Sequence, residues 1–281
     1  MAGVARRRRA PAEYAKALQH TRRRAMGLAS AGDESGWQQD FEDGLRALGL
    51  SLPANARSRF DLYMAELLRW RARINLTGFR TPQAIARHGF LDSLACLPAV
   101  PAGGLRVVDI GSGAGLPGLP LALARPDLEV TLIEASRRRH SFLAYVCRTL
   151  GLSKVRCLHG RAEALARDPG LRGRFDAAFA RAVRRLEGAA GLASPFLREG
   201  GVFISQAGAL PAAPPAIPGY GAALAFPLPH EGEGDQRARG LLIYARGSYG
   251  KLHVKRQPLP LPWPGRGLCD MVPRAFPQGT S

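Results

Sequence analysis

The stretch LRVVDIGSGAGLPG, residues 105–118, decides the fold. An apolar run from Leu105 to Ile110 carries Asp109 near its end. Val107, Val108 and Ile110 favour extended backbone, which predicts a buried strand over 105–110. Glycines then fall at positions 111, 113, 115 and 118. Glycine permits a tight turn and lets backbone N–H groups approach a ligand with no Cβ in the way. Pro117 can sit in the first turn of a helix, where its missing N–H costs little. Strand, glycine turn and helix together begin a nucleotide-binding α/β unit.

Gly113-x-Gly115-x-x-Gly118 also matches the dinucleotide pattern, so an oxidoreductase is one reading. Two acids argue against it. Asp109 stands two residues before Gly111, where a dinucleotide fold needs no charge. Glu134 closes LEVTLIE (128–134), a second strand, and suits a ribose diol. An adenosyl cofactor without a pyrophosphate fits this pair. A plainer role for Asp109 is to cap the turn that follows it.

Working outward, the strand–helix alternation continues. A crossover helix is expected over 115–125, ended by Arg125-Pro126. Ser136 is placed to cap a helix over 137–150, whose Phe142, Leu143, Val146 and Leu150 form the buried face. Arg137, Arg138, Arg139 and His140 lie in its first turn, on the solvent or RNA side. KVRCLHG (154–160) reads as a third strand, followed by Arg161, Ala162 and Glu163 just past its carboxyl end, where such sheets hold ligands. FDAAFARA (175–182) is the fourth, with Arg181 at its carboxyl end. A helix to Leu197, the turn EGG and a strand over 202–206 follow. LALAF near 224 and GLLIYAR (240–246) look like a closing antiparallel pair. This alternation predicts a mostly parallel, doubly wound sheet.

Upstream, Trp37 to about Val100 reads as helical. Phe60, Tyr63, Met64, Leu67 and Leu68 recur at helical spacing. The segment INLTGF (74–79) follows that helix. Thr81 and Pro82 then provide an N-cap and a first-turn proline. His88 and Asp92 lie four residues apart on one helical face. That spacing could serve a general base or a metal site. A structural hydrogen bond fits better, because no third ligand or nucleophile is near.

The 281 residues carry 40 Lys+Arg against 22 Asp+Glu, a net charge of +18. Such an excess favours polyanions through counterion release, although an arginine-rich coding bias would also produce it. No stretch is long and apolar enough for a transmembrane helix, and no membrane association is expected. Four cysteines without C-x-x-C or His/Cys metal spacing read as reduced thiols in a cytosolic protein. Residues 1–36, with eight Lys+Arg and three Asp+Glu, form a basic extension expected not to fold alone. Residues 37–103 make the N-terminal helical region, residues 104–246 the Rossmann-like domain, and residues 247–281 a tail of unassigned structure.

NLT (75–77), RHGFLDS (87–93), DIGSGAGLPGLPLAL (109–123), LIEASRRRHSFL (132–143), GRAEAL (160–165) and FDAAFARAV (175–183) occur in this order. Over about 40–206 the chain resembles the glucose-inhibited division protein B family, the RsmG methyltransferases. That resemblance implies a class I S-adenosylmethionine-dependent methyltransferase: an α/β Rossmann-like sheet with a small N-terminal helical part. It implies N7-methylation of one guanosine in the decoding-region loop of bacterial 16S rRNA. The cofactor would be S-adenosyl-L-methionine. The partner would be 16S rRNA or a precursor of the small ribosomal subunit, met in the cytoplasm by a monomer.

By position, Gly111 and Leu116 match the family's cofactor residues in the glycine turn, beside Asp109, Gly113 and Gly115. Glu134 matches the acid at the ribose. Ala162 and Glu163 match the pair flanking adenine, and Arg181 the arginine of the cofactor or target pocket. Arg161 joins Arg181 as a candidate RNA or target contact. Where the family carries Lys-Gly after the fifth strand, this chain has Ala207-Gly208, and its tail lacks the basic ending of many members. Guanine N7 carries a free lone pair, so no general base, and no catalytic residue beyond positioning groups, is expected. The rival readings are a same-fold methyltransferase acting on another RNA or a small molecule, and a non-catalytic RNA-binding relative.

Overall fold

The computed structural model describes residues 36–100, 103–181, 185–208, 210–211, 213–228 and 240–247. The expected N-terminal extension and C-terminal tail lie outside these, apart from Gly36 and Gly247.

Two amphipathic helices come first, α1 (Gly36–Ala47) and α2 (Ala56–Arg71). A continuous helical segment follows, in three pieces: an α turn (Pro82–Ala84), a π-helical stretch (Ile85–Leu91) and a second α turn (Asp92–Leu94). Thr81 caps it as expected, its Oγ1 accepting the Ala84 N–H at 3.1 Å. The π stretch was not expected. Within it the Asp92 N–H reaches back five residues to the Arg87 carbonyl.

The remaining chain winds β1 (Arg106–Ile110), α3 (Gly118–Ala124), β2 (Glu129–Glu134), α4 (Arg137–Thr149), β3 (Val155–His159) and α5 (Ala162–Leu165). It continues through β4 (Phe175–Arg181), α6 (Leu186–Ala193), β5 (Leu197–Ala207), β6 (Tyr220–Pro227) and β7 (Gly240–Arg246). The sheet order is β3-β2-β1-β4-β5-β7-β6. β1 to β5 pair in parallel, and β7 runs antiparallel between β5 and β6. This is the Rossmann-like class I methyltransferase sheet that the alternation and the resemblance predicted.

Three boundaries differ, the first being that the helix expected to reach Leu197 ends at Ala193. α3 starts at Gly118 rather than at 115, because residues 111–117 are spent on the turn and Pro117 precedes the helix after a cis peptide bond. β5 starts at Leu197, which pairs with Phe175 across an irregularity, so the EGG residues belong to the strand.

Side chains alternate across a strand, and burial follows that period on every central strand. Val107, Val130, Leu132, Ala177, Phe179, Val202 and Ile204 share one core, while Val108, Ile133, Ala178, Ala180 and Phe203 share the other. The first face is covered by α1, α2, the π segment, α3 and α4, and the second by α5 and α6. The N-terminal helices are therefore built into the sheet's own core. Phe90 of the π segment stacks on Tyr63 (5.2 Å between centroids) and lies 5.0 Å from Phe60. All three rings are fully buried, each such burial stabilising by roughly 1.5–3 kcal/mol. Among the described residues no helix is long and apolar enough to cross a membrane.

Candidate active site

Strand order reverses between β1 and β4, and ligands of such sheets bind in the crevice beyond the carboxyl ends at that point. The ladders fix what meets there. Ile110 is level with Ile133 of β2 and Ala180 of β4. The next residues in the chain are Gly111, Glu134 and Arg181, one just past the last residue of each strand paired in these two ladders. By strand parity Asp109, Glu134 and Arg181 all project to the face that carries the N-terminal helices.

The turn after β1 is stitched to β2: the N–H groups of Gly111 and Ser112 both donate to the Ile133 carbonyl, at 2.9 and 3.0 Å. Ser112 Oγ donates to the Asp109 carbonyl at 2.8 Å. The glycines then divide into two kinds. At Gly111 (φ +70°) and Gly113 (φ +57°) the backbone is left-handed, and a Cβ would find no atom closer than 3.8 Å. Bare main chain there faces open space. At Gly115 a Cβ would strike the Leu119 side chain at 2.4 Å, and at Gly118 it would strike Leu132 at 2.4 Å. Those two glycines serve packing. Leu116 is buried, and its side chain faces Gly89 of the π segment, so only its backbone is available to a ligand.

Asp109 is buried, with Oδ2 accepting the Gly118 N–H at 3.0 Å. It therefore caps α3, as the plainer sequence reading had it. Burial is the main reason its pKa is pushed up to about 7; the Gly118 N–H and Arg181 oppose that rise. Its Oδ1 has no hydrogen-bond partner. Glu134 is also buried. Its Oε2 accepts the Gly113 N–H at 2.8 Å, its Oε1 accepts the Ser136 N–H at 2.7 Å, and Arg139 Nε lies 3.3 Å from Oε1. The acid expected at a ribose thus ties the turns after β1 and β2 together.

On the β3 side, the Gly160 N–H donates to the Glu134 carbonyl at 3.1 Å. This brings Ala162, buried, and Glu163, exposed, to the flank of the same crevice. On the β4 side, half-buried Arg181 donates through Nη2 to the His88 carbonyl and lies 5.3 Å from the Phe79 ring centroid. Arg161 is exposed at the start of α5. Three ladder spacings, about 14 Å, separate β3 from β4, so Arg161 and Arg181 stand on opposite flanks of the crevice.

Among the described residues no group of three or more His, Cys, Asp or Glu could hold a metal ion. The backbone of both His88 and Asp92 is engaged, and the His88 ring lies 5.8 Å from that of Phe79. The Asp92 carbonyl accepts from Gln206 Nε2 at 2.6 Å, as the His88 carbonyl does from Arg181. Sequence reasoning missed Phe79, which packs on Arg181. It also missed Tyr63, whose hydroxyl donates to the Ala114 carbonyl at 2.5 Å. The NLTGF segment flagged the first, but Tyr63 looked like one more apolar position on its helix.

Main chain free of Cβ at Gly111 and Gly113, its N–H groups already donating to Ile133 and Glu134, and two buried acids beside it suit a ligand that brings hydroxyls and positive charge rather than a pyrophosphate. S-adenosyl-L-methionine has both.

A family model described as rRNA small subunit methyltransferase G matches residues 56–213. The chain is 40% identical over 161 residues to "Ribosomal RNA small subunit methyltransferase G" of Desulfitobacterium hafniense (strain Y51), covering 57% of this chain and 66% of that one. It is 40% identical over 172 residues to the protein of the same name from Streptococcus pyogenes serotype M1, covering 59% and 71%. Among solved structures, a predicted O-methyltransferase, Atu636 from Agrobacterium tumefaciens, aligns with a TM-score of 0.43 and 21% identity, covering 56% of this chain and 81% of that one. With more than half its length matched by the family model, the chain belongs to the rRNA small subunit methyltransferase G family.

Proposed function

We propose that the chain transfers the methyl group of S-adenosyl-L-methionine to N7 of a guanine in small-subunit ribosomal RNA. The observation that carries this is the register that brings the ends of β1, β2 and β4 level at the switch point, with Gly111, bare and left-handed, Glu134 and Arg181 each directly following the last residue paired between β1 and its two neighbours.

The cofactor supplies a methyl group on cationic sulfur. Gly111 and Gly113 offer main chain to its amino-acid half, and Asp109 offers negative charge below. Glu134 accepts from the ribose hydroxyls, and Ala162 and Glu163 flank the adenine. Leu116 contributes backbone, and Gly115 keeps the turn packed. Arg181, braced by the His88 carbonyl and the Phe79 ring, faces the incoming guanine. N7 carries its own lone pair on the Hoogsteen edge, so no residue has to remove a proton first. The work left to the protein is alignment and exclusion of water, which can supply roughly 7–11 kcal/mol. The target base must leave its stack to enter. We place the activity in the cytoplasm, in a monomer, with residues 37–103 and 104–246 as its helical and Rossmann-like parts.

Tritiated methyl transfer to small-subunit RNA from a methylation-deficient strain tests this. Label mapping to N7 of one guanine is the expected result. Label on an exocyclic amine, or none with cofactor bound, would refute the reaction.

A further inference from the structure

A shallow cleft of about 300 Å³ opens beside the cofactor crevice, lined by Ile74 and Asn75 on one wall and Ser136, Arg138 and Arg139 on the other. No acidic side chain lines it. Its polar groups are hydrogen-bond donors of a kind that suits phosphate oxygens: two guanidiniums, an amide and a hydroxyl. The Ser136 hydroxyl is not used as a cap on α4. The opposite wall is pinned, because Arg71, at the end of α2, donates through Nη1 to the Arg80 carbonyl and closes the loop that carries Asn75.

Arg139 belongs to this cleft and to the cofactor site at once, through Glu134. A carboxylate has about four acceptor sites. Gly113 and Ser136 fill two of those on Glu134 by hydrogen bonds, and Arg139 lies against Oε1 as an ion pair. A ribose diol brings two more donors, which fill the remaining sites and leave none facing the guanidinium, so the diol and Arg139 compete for the carboxylate. The two backbone N–H groups are fixed in their turns at 2.8 and 2.7 Å, whereas Arg139 sits at 3.3 Å on a side chain 43% exposed. Arg139 is the partner that can go, and the cleft is where it can turn.

We propose that this cleft binds a phosphodiester of the RNA substrate, and that the phosphate draws Arg139 off Glu134 and so tightens cofactor binding. The proposal rests on the cofactor assignment above. Arg139 is a positioning residue here, acting through Glu134.

The test uses the full chain and calorimetric titration with S-adenosylhomocysteine: alone, with saturating single-stranded RNA oligonucleotide, and with inorganic phosphate at matched ionic strength. RNA should tighten binding about tenfold in the unaltered protein, within the usual range of coupling between sites. Arg139→Ala should bind as tightly without RNA as the unaltered protein does with it, and gain nothing further. Arg138→Ala, which does not touch Glu134, should weaken RNA binding but keep the tightening once RNA is saturating. Each variant should also lower the salt slope of RNA binding by about 0.7. An unaltered protein whose affinity ignores RNA, or an Arg139→Ala protein that still responds, overturns the proposal. Tightening by inorganic phosphate alone makes the cleft a free-anion site and overturns the RNA assignment. Failure of the unaltered protein to bind S-adenosylhomocysteine at all would instead remove the function proposed above.

Discussion

Glu134 accepts the backbone N–H of Gly113 at 2.8 Å, so the end of β2 holds the turn that ends β1. The same carboxylate accepts the Ser136 N–H. Replacing it with alanine leaves two N–H groups without their acceptor, at a cost of about 1–3 kcal/mol for each that stays buried. Glu134→Ala should therefore lower the melting temperature and weaken S-adenosylhomocysteine binding at least tenfold, with no loss of RNA affinity, since Arg139 is then released to the phosphate. Calorimetry and a filter-binding assay on one preparation separate these effects. Equal loss of cofactor and RNA binding contradicts the role assigned to Glu134.

Gly111 and Gly118 should fail in different ways. A Cβ at Gly111 meets no atom within 4 Å, so Gly111→Ala incurs only the left-handed backbone penalty, about 1–2 kcal/mol, and fills ligand space. It should fold and lose cofactor binding. A Cβ at Gly118 would meet Leu132 at 2.4 Å and Asp109 Oδ2 at 2.9 Å. Gly118→Ala should instead unfold at markedly lower temperature. Thermal melts with and without S-adenosylhomocysteine distinguish the two, and a Gly111→Ala protein still stabilised by ligand would move the site elsewhere.

How far the sequence carried these assignments depends on the range of the interaction. The β1 run, the glycine turn and the Thr81 cap are local, and each reads from a few neighbours. The open space above Gly111 and the crowding at Gly115 are not, because the same residue type serves both and only Leu119 and Tyr63 tell them apart. The π stretch has no side-chain signature, since it differs from an α-helix in which carbonyl each N–H selects. Arg161 and Arg181 look alike beside their strands, and strand order alone separates them. Glu134 was legible as a strand-end acid, but its bonds to Gly113 and Ser136 require two loops to be packed first.

Tyr63 carries the N-terminal helices' hold on the glycine turn. Its ring is fully buried, and its hydroxyl donates to the Ala114 carbonyl between Gly113 and Gly115. Tyr63→Phe keeps the ring's stack on Phe90 and removes one buried hydrogen bond, worth about 0.5–1.5 kcal/mol net. The expected outcome is a small drop in denaturant midpoint with unchanged slope, and a several-fold loss of cofactor affinity as the turn loosens. A phenylalanine variant with native affinity would show that α2 supports the turn through packing alone.

Asp109 makes both stability and cofactor binding depend on pH. Burial lifts its pKa from 3.8 to about 7. Between those values the folded protein holds a proton that the unfolded chain has released. Its contribution is therefore full at low pH and is lost as pH rises through about 7, amounting to at most about 4 kcal/mol across that window. Asp109→Asn keeps an oxygen for the Gly118 N–H and removes the titration. Relative to the unaltered protein it should gain stability as pH rises from 5 to 8, on the order of a few kcal/mol. Binding of cationic S-adenosyl-L-methionine has the opposite sign, because it favours the ionised carboxylate. Affinity in the unaltered protein should climb between about pH 6 and 8 and then level, taking up the proton cost of Asp109. In Asp109→Asn that climb should vanish. If the variant's affinity rises with pH as steeply as that of the unaltered protein, another group titrates and Asp109 serves only to cap α3.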